Sequence, residues 1–503
     1  MLSSSLNLHW AYGFSKDKLG GVQSLCQKDR NALFFISSHS GVIYDFEHRS
    51  QTVLQGHCNI ITCCAVDKSK RFIVTADSGV DPIIIVWDSV SFVPVKTYYN
   101  PHKIGITALD FSDDSLFIAT LSSLDASQGI EQELSIWAWT GDDSEPLLRQ
   151  QLGGEVFHTV KFNPSNKNDL VITGVKTISF WNWDDMNLEY YIGVASKTDL
   201  GFFSGRYVST IFLPSTENCL SATSDGYVIV WETRTELPSK RIGEAPPKSM
   251  KVATKMLRLV ECGITIMTAT ANDYLAVACD DGAVRFYDYF LRLEAWFEDL
   301  SVGSVSSLSF SVQPNPFAPG EGGSPGLKFW VPDFLVGTVD AFVVGVESSI
   351  FEEVRKEDRR GTLLMQGMAD EVTAVACHPT LPLVAITCGN GVLHIWDYDM
   401  KLLMILREFN ASAKEEKRSN SLSGKKLLKS KCLCFDTSGG ALVIAFLSGA
   451  VKVLKTETLE DVCSFAPTTD AILDIKFSPS GAYFACFDSA HHVLIFKRHF
   501  FIC

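Results

Sequence analysis

An alternation of apolar with polar or small residues recurs along the whole chain, and it restricts the fold more than any other feature. ITCCAV at Ile61 has counterparts in ITALDF at Ile106, FHTVKF at Phe157, VSTIFL at Val208, ITIMTA at Ile264, VSSLSF at Val305, VTAVAC at Val372, SKCLCF at Ser430 and ILDIKF at Ile472. A period of two places alternate side chains on one face, so each run reads as a strand with a buried side. A second apolar run follows each of them, among them RFIVTAD, DLVITG, LVAITCGNG and YFACFDSA, and then a third, from IIIVWD to VLIF. Many copies separate the second run from the third by a turn dipeptide: Asp225-Gly226, Asp281-Gly282, Asn390-Gly391 and Ser448-Gly449. Glycine there supplies the positive φ that a tight hairpin demands. A weaker copy (GVQSLC, ALFFIS, Ser40-Gly41, VIYDF) precedes the rest and makes ten.

Equivalent positions in the third run are Phe46, Trp87, Trp137, Trp181, Trp231, Tyr287, Val346, Trp396, Leu454 and Phe496, at intervals of 41 to 59 residues. A four-stranded propeller blade repeats every ~40–45 residues before insertions. Gly56-His57 with Trp87-Asp88, and Trp396-Asp397 alone, resemble WD40 repeats. In the full pattern a histidine, a hydroxyl, an aspartate and an indole N–H satisfy one another in the core, as buried polar groups must. The four expected here are His57, Thr75, Asp77 and Trp87, with Asp77 set apart by the inserted SGVDP loop. Trp231, Asp225, Asp281, Trp396 and Asp397 carry weaker traces of the repeat signature, so the other copies are degenerate and rely on apolar packing.

The expected fold is therefore all-β, a WD40 β-propeller. Propellers usually have ~4–8 blades, so ten copies do not fit one ordinary ring. The partition is a seven-bladed first ring over residues 1–362, with 1–21 as an opening or closing strand and degenerate blades over 22–362. An incomplete second propeller of about three blades follows over 363–503. Three blades leave apolar faces and an unpaired edge, which suggests a shortened form of a longer two-propeller protein.

Composition narrows the function. The 503 residues hold 44 Lys and Arg against 58 Asp and Glu, a formal charge of −14. Nucleic-acid affinity rests on phosphate neutralisation, so a nucleic-acid partner is not expected. No apolar run reaches the ~18 residues of a membrane span, and MLSSSLNLHWAYGF lacks the basic start and apolar core of a secretory leader. The 14 cysteines contain no C-x-x-C pair and mostly sit in apolar runs, which points to a reducing compartment without disulfides. No H-E-x-x-H, G-x-S-x-G, EF-hand loop or clustered Cys/His spacing appears, and the His491-His492 pair reads as an exposed hairpin turn. No catalytic residue, cofactor or metal is expected, and the chain reads as a non-enzyme.

Two insertions interrupt the repeats. Gln313–Gly326 (QPNPFAPGEGGSPG) has the Gly and Pro content of a flexible loop. Lys414–Lys431 carries Lys414, Lys417, Arg418, Lys425, Lys426, Lys429 and Lys431 against two glutamates, a local excess of +5. The plain reading is a solvated loop; the sharper one is contact with an acidic surface such as the tubulin lattice. Ser421, three residues after Arg418, fits a basophilic phosphorylation pattern, and a phosphate there would subtract local charge.

The finer text resembles one family. LNLHW at Leu6, LQGHCNIITC, TADSGVDPIIIVWDS, FNPSNKNDLV at Phe162, LSATSDGYVIVW at Leu220, ACDDGAVRFYD at Ala278 and ACHPTLPLVAI at Ala376 occur in the order found in a WD-repeat cilia- and flagella-associated family of the calmodulin- and radial-spoke-associated complex. The resemblance implies a scaffold of the motile cilium or flagellum axoneme that helps assemble or anchor radial spokes on doublet microtubules, and so supports ciliary and sperm motility. Its implied partners are spoke and calmodulin-associated subunits and the doublet microtubules. The family's second propeller looks incomplete here and its calcium-associated C-terminal region is missing, which leaves calcium dependence open. The alternative is a general cytoplasmic WD40 adaptor, either a ubiquitin-ligase substrate receptor or a tubulin-binding protein.

Overall fold

The computed structural model describes residues 8–497 except 126, 128, 185–186, 194–204, 215, 236–248, 271, 299–302, 315–328 and 411–427. Its described residues form ten antiparallel sheets in which strands follow one another in chain order. Nine sheets have four strands and the tenth has three. The fourth strand of the four-stranded sheets escapes a search for apolar runs because it is half solvated. Leu402–Glu408 alternates strictly between exposed and partly buried, and Leu188–Ile192 carries Glu189, Tyr190 and Tyr191.

The chain divides into two compact units, Met1–Gly367 and Met368–Cys503. The seventh sheet's last strand, Thr362–Gln366, belongs to the first unit, so the division falls a few residues beyond 362.

Within the first unit each sheet shares an apolar core with the next. The second strand of the first sheet, Ala32–Ser37, shows how. Phe34 and Ile36 enter a core with Ile61, Ile73, Ile85 and Trp87 of the second sheet. Leu33 and Phe35, on the opposite face, enter a core with Leu335 and Val343 of the seventh. A strand covered on both faces reads as an unbroken apolar run, which is why ALFFIS shows no alternation. Phe34 and Phe35 are fully buried, each contributing about 2–3 kcal/mol of transfer free energy. Polar contacts join the same pair of sheets. Val22 N–H donates to Ser307 Oγ at 3.1 Å, Ser24 N–H to Ser309 Oγ at 2.9 Å, and Gly20 N–H to the Ser306 carbonyl at 2.9 Å.

A bulge recurs near the start of the first strand in the second to tenth sheets, for example between Ile61 and Cys63, Tyr207 and Ser209, and Ile472 and Asp474. The extra residue sharpens the twist of the strand. It also frees a side chain to cross to the next sheet. Thr62 Oγ1 donates to the Ile106 carbonyl at 2.5 Å, and His158 Nε2 lies 2.9 Å from the Val208 carbonyl.

Two expectations are corrected. Residues 8–21 form no strand. Instead Trp10, Ala11 and Phe14 pack on the core shared by the first and seventh sheets, and Ala11 exchanges hydrogen bonds with the Gln51 amide. Register also places Tyr44, not Phe46, where Trp87 stands: Leu33 pairs with Tyr44 as Ile73 pairs with Trp87. The turn of that first copy lies at Ser38, with φ +55, ahead of Gly41.

The hairpin glycines behave as their dipeptides imply. Gly226, Gly282, Gly391 and Gly449 have φ between +77 and +84. A Cβ on Gly226 would stand 2.2 Å from the Val260 carbonyl oxygen. Gly226→Ala is therefore expected to lower stability by about 1–3 kcal/mol, read as a lower urea midpoint of the full chain.

The second unit holds the eighth, ninth and tenth sheets. One core joins the eighth to the ninth and another joins the ninth to the tenth. The opposite faces of the outer two keep apolar residues in solvent: Val375, Met404 and Leu406 on the eighth, Phe487, Val493 and Ile495 on the tenth, with Ile495 69% exposed.

Candidate functional site

The four residues of the second blade meet in one buried chain. His57 precedes the first strand, Thr75 and Asp77 lie on the second strand (Phe72–Asp77), and Trp87 lies on the third (Ile83–Asp88). Trp87 Nε1–H donates to Thr75 Oγ1 at 2.9 Å. Thr75 Oγ1 is 2.7 Å from His57 Nε2, and His57 Nδ1 is 2.8 Å from Asp77 Oδ2. An ionised carboxylate only accepts, so Nδ1 carries the proton, and in the neutral imidazole Nε2 accepts from the threonine hydroxyl. Every donor then points the same way, from indole to carboxylate. Asp77 Oδ1 also accepts the Ile83 N–H at 2.9 Å, which fixes the strand beyond the SGVDP loop. Burial opposes ionisation of Asp77, but the hydrogen bonds from His57 and Ile83 outweigh it and hold the carboxyl below its ordinary range. The side chains of His57 and Asp77 have no solvent exposure. A His–Asp–hydroxyl arrangement sealed in this way meets no substrate, and its role is to hold the blade.

The third blade contains a second such chain that motif matching overlooked. Trp137 Nε1–H donates to Thr120 Oγ1 at 2.9 Å, Thr120 Oγ1 is 2.9 Å from His102 Nε2, and His102 Nδ1 is 3.0 Å from Glu133 Oε1. At the Asp77 position stands Ser122, and the acid comes from the next strand, Gln132–Ala138. Glutamate's extra methylene makes the reach. Arg149 and Gln151 complete its shell at 3.3 and 2.6 Å. Burial again works against the charge, and the His102 hydrogen bond again prevails, so Glu133 also titrates low. His102 follows Pro101 where Gly56 precedes His57, which hid it. The recoverable signal is spacing: histidine and threonine are 18 residues apart in both blades.

Elsewhere the chain thins out. Trp231 Nε1–H finds Ser221 Oγ at 2.8 Å, which Thr210 supports, and Trp181 finds Ser179 on its own strand at 3.0 Å. In the eighth sheet Ile386 occupies the hydroxyl position, and His394 stacks beside Trp396 with centroids 6.4 Å apart. Burial pushes His394 down to about 4, so it is neutral at physiological pH.

The signature aspartates lie elsewhere. Asp397, like Asp88, accepts the N–H groups two and three residues on, closing the turn into the fourth strand. Asp281 caps its hairpin at the Ala283 N–H and pairs with Arg285 at 2.6 Å, whereas Asp225 is exposed and accepts from its neighbour Ser224. Lys429 and Lys431 are exposed at the start of the ninth sheet, flanking buried Ser430. Lys414, Lys417, Arg418, Ser421, Lys425 and Lys426 lie outside the described residues, as does most of the Gln313–Gly326 insertion.

Two clusters bring metal-ligand atoms within 4.8 Å of one another. In Cys262–Cys279–Asp281 the carboxylate is committed to Arg285, and burial raises both thiols away from the thiolate that a metal requires. In Asp470–Asp488–His492 the Asp488 carboxylate accepts the N–H groups of Ala490 and His492 and the Thr468 hydroxyl, the capping pattern of a turn. The thirteen described cysteines are all free. No described helix is long and apolar enough to cross a membrane.

Repeated four-stranded antiparallel sheets, tied in two cases by a Trp–Thr–His–carboxylate chain, define a WD40-type repeat protein, and residues 361–397 match the WD domain, G-beta repeat family. Residues 6–351 match the CFAP251 N-terminal domain, and the chain belongs to that family. It is 30% identical to cilia- and flagella-associated protein 251 of Chlamydomonas reinhardtii over 98% of this chain and 60% of the relative. It is 32% identical to the protein of that name from Tetrahymena thermophila over 95% and 48% respectively. Human echinoderm microtubule-associated protein-like 4 is 23% identical over 95% of this chain and 44% of its own length. The chain thus spans about half the length of these relatives.

Proposed function

We propose that this chain is a non-enzymatic scaffold of the motile cilium or flagellum, seated on the axoneme, where it helps assemble or anchor radial spokes on doublet microtubules. The observation that carries this reading is membership of the CFAP251 N-terminal domain family, whose similar full-length relatives are named cilia- and flagella-associated. The architecture suits the role. Both buried histidine chains serve the fold, and a stack of blades offers its loops to partners.

We read the first seven sheets as one closed propeller, supported by the core and hydrogen bonds between the first and the seventh. The eighth to tenth are read as part of a second propeller, supported by the apolar residues open on both of its ends. Closure covers the two outer apolar faces that an open row of blades leaves in solvent.

The test is placement. A tagged chain expressed in multiciliated cells is expected along the axoneme, and electron tomography after its removal is expected to show missing or displaced spokes. A chain that spreads through the cytosol, or axonemes with every spoke in place, would refute the proposal. A second reading, direct tubulin binding, is favoured by the microtubule-associated relative and is read by co-sedimentation with purified microtubules.

A further inference from the structure

The hairpin ends of the first and second sheets border an open cleft of about 480 Å³. Arg30, Lys70, Arg71 and Asp88 supply its charges, three positive and one negative, on a chain whose total is −14. The walls are set in advance. Gln27 Nε2 donates to the Ser69 carbonyl at 2.5 Å, and the Arg30 guanidinium donates to Ser89 Oγ and to the Ser89 carbonyl, both at 2.8 Å.

The positive charge is only partly spent internally. Asp88 gives Oδ1 to the N–H groups of Val90 and Ser91 and Oδ2 to Arg71 Nε and Nη2 at 3.3 and 3.2 Å, a pair that leaves the Arg71 side chain 62% exposed. Asp67, the other carboxylate near Lys70, is taken up by the Phe72 N–H and by Ser69. Lys70 Nζ makes no hydrogen bond among the described residues. Burial pushes this ammonium down to about 8, despite the opposing pull of Cys26 and Asp67. An anion in the cleft would restore what burial removes.

The rim is apolar. The turn beside the cleft reads Val90-Ser91-Phe92-Val93, with all three apolar side chains exposed. Phe92 also holds a left-handed φ of +63, which is costly for a bulky side chain. In the corresponding turns that left-handed position is filled by Arg49, Lys401 and Leu459, and the Leu459 side chain is buried in the core. Leu459 turns inward there, whereas Phe92 is 40% exposed and leaves a bulky apolar side chain in solvent beside the cleft.

We propose that this surface docks an acidic protein segment, a glutamate or aspartate carboxylate entering between Lys70 and Arg71 while a neighbouring apolar side chain lies on Val90, Phe92 and Val93. A carboxylate fits better than a phosphate. Asp88 remains ionised in the lining, because its turn N–H bonds prevail over burial, and it repels a dianion about twice as strongly as a monoanion. The proposal stands independently of the ciliary role.

Fluorescence anisotropy with the full chain and a labelled octapeptide of alternating glutamate and leucine tests it. Lys70→Asn and Phe92→Asn are suitable variants, because asparagine tolerates the left-handed backbone at both positions; unchanged urea midpoints verify their folding. Each is expected to weaken binding at least about fivefold, and a glutamine-for-glutamate peptide at least about tenfold, with affinity falling as salt rises. The proposal is overturned if the wild-type chain fails to bind the peptide, if both folded variants bind as it does, or if the glutamine peptide binds equally well. A phosphoserine peptide that binds more tightly than the glutamate one would overturn the assignment to a carboxylate.

Discussion

Trp137→Ala is expected to lower the unfolding free energy by about 3–5 kcal/mol, the usual cost of deleting a buried aromatic side chain. Trp137 is 1% exposed and sits where the second and third sheets share their core. Its ring lies 4.6 Å from that of Tyr98, and its indole N–H begins the chain through Thr120 and His102 to Glu133. Truncation opens a cavity and also leaves the threonine hydroxyl short of a donor. Urea denaturation of the full chain measures the loss, with Tyr99→Ala as the control. Tyr99 is 77% exposed on the neighbouring fourth strand, and its removal should change stability by no more than about 0.5 kcal/mol. A loss below about 1 kcal/mol for Trp137→Ala would mean that the second buried chain does not hold its blade.

The next largest effect is expected at Asp77. Removing its carboxylate leaves His57 Nδ1–H and the Ile83 N–H buried without an acceptor, at a cost of about 2–4 kcal/mol for Asp77→Ala. The penalty depends on pH with a definite sign. The folded carboxyl titrates below its unfolded value of ~3.9. Its stabilisation is therefore complete above that value and is lost as pH falls through the lower folded one. Wild type and variant should differ by a constant amount from pH 5 to pH 7 and converge in stronger acid. A gap that persists unchanged at pH 2 would contradict the ionised, hydrogen-bonded carboxylate described here.

The two buried chains also show where motif reasoning reaches and where it stops. His57, Thr75, Asp77 and Trp87 lie within one blade, in the order and spacing of a repeat signature, so composition and position name them without coordinates. His102, Thr120, Glu133 and Trp137 perform the same task with the acid moved to another strand. A pattern that looks for aspartate at the end of the second strand meets Ser122 and passes on. The geometry needs a carboxylate oxygen about 3 Å from Nδ1, and any residue that delivers one will serve. The Phe46 alignment failed for a similar reason. Its aromatic character fits the pattern, but hydrogen-bond register places Tyr44 opposite Leu33.

What the sequence by itself determined is local. Period-two alternation, turn glycines and the ten-fold recurrence specify antiparallel sheets in chain order, since strand pairing between neighbours follows from short loops and buried faces. What only the tertiary structure decided depends on residues far apart in the chain. The contact of Val22 with Ser307, the shared core of Phe34 and Trp87, and the charged cleft between two hairpin ends are examples. Each arises when separate blades come together, and no run of neighbouring residues encodes the distance between them.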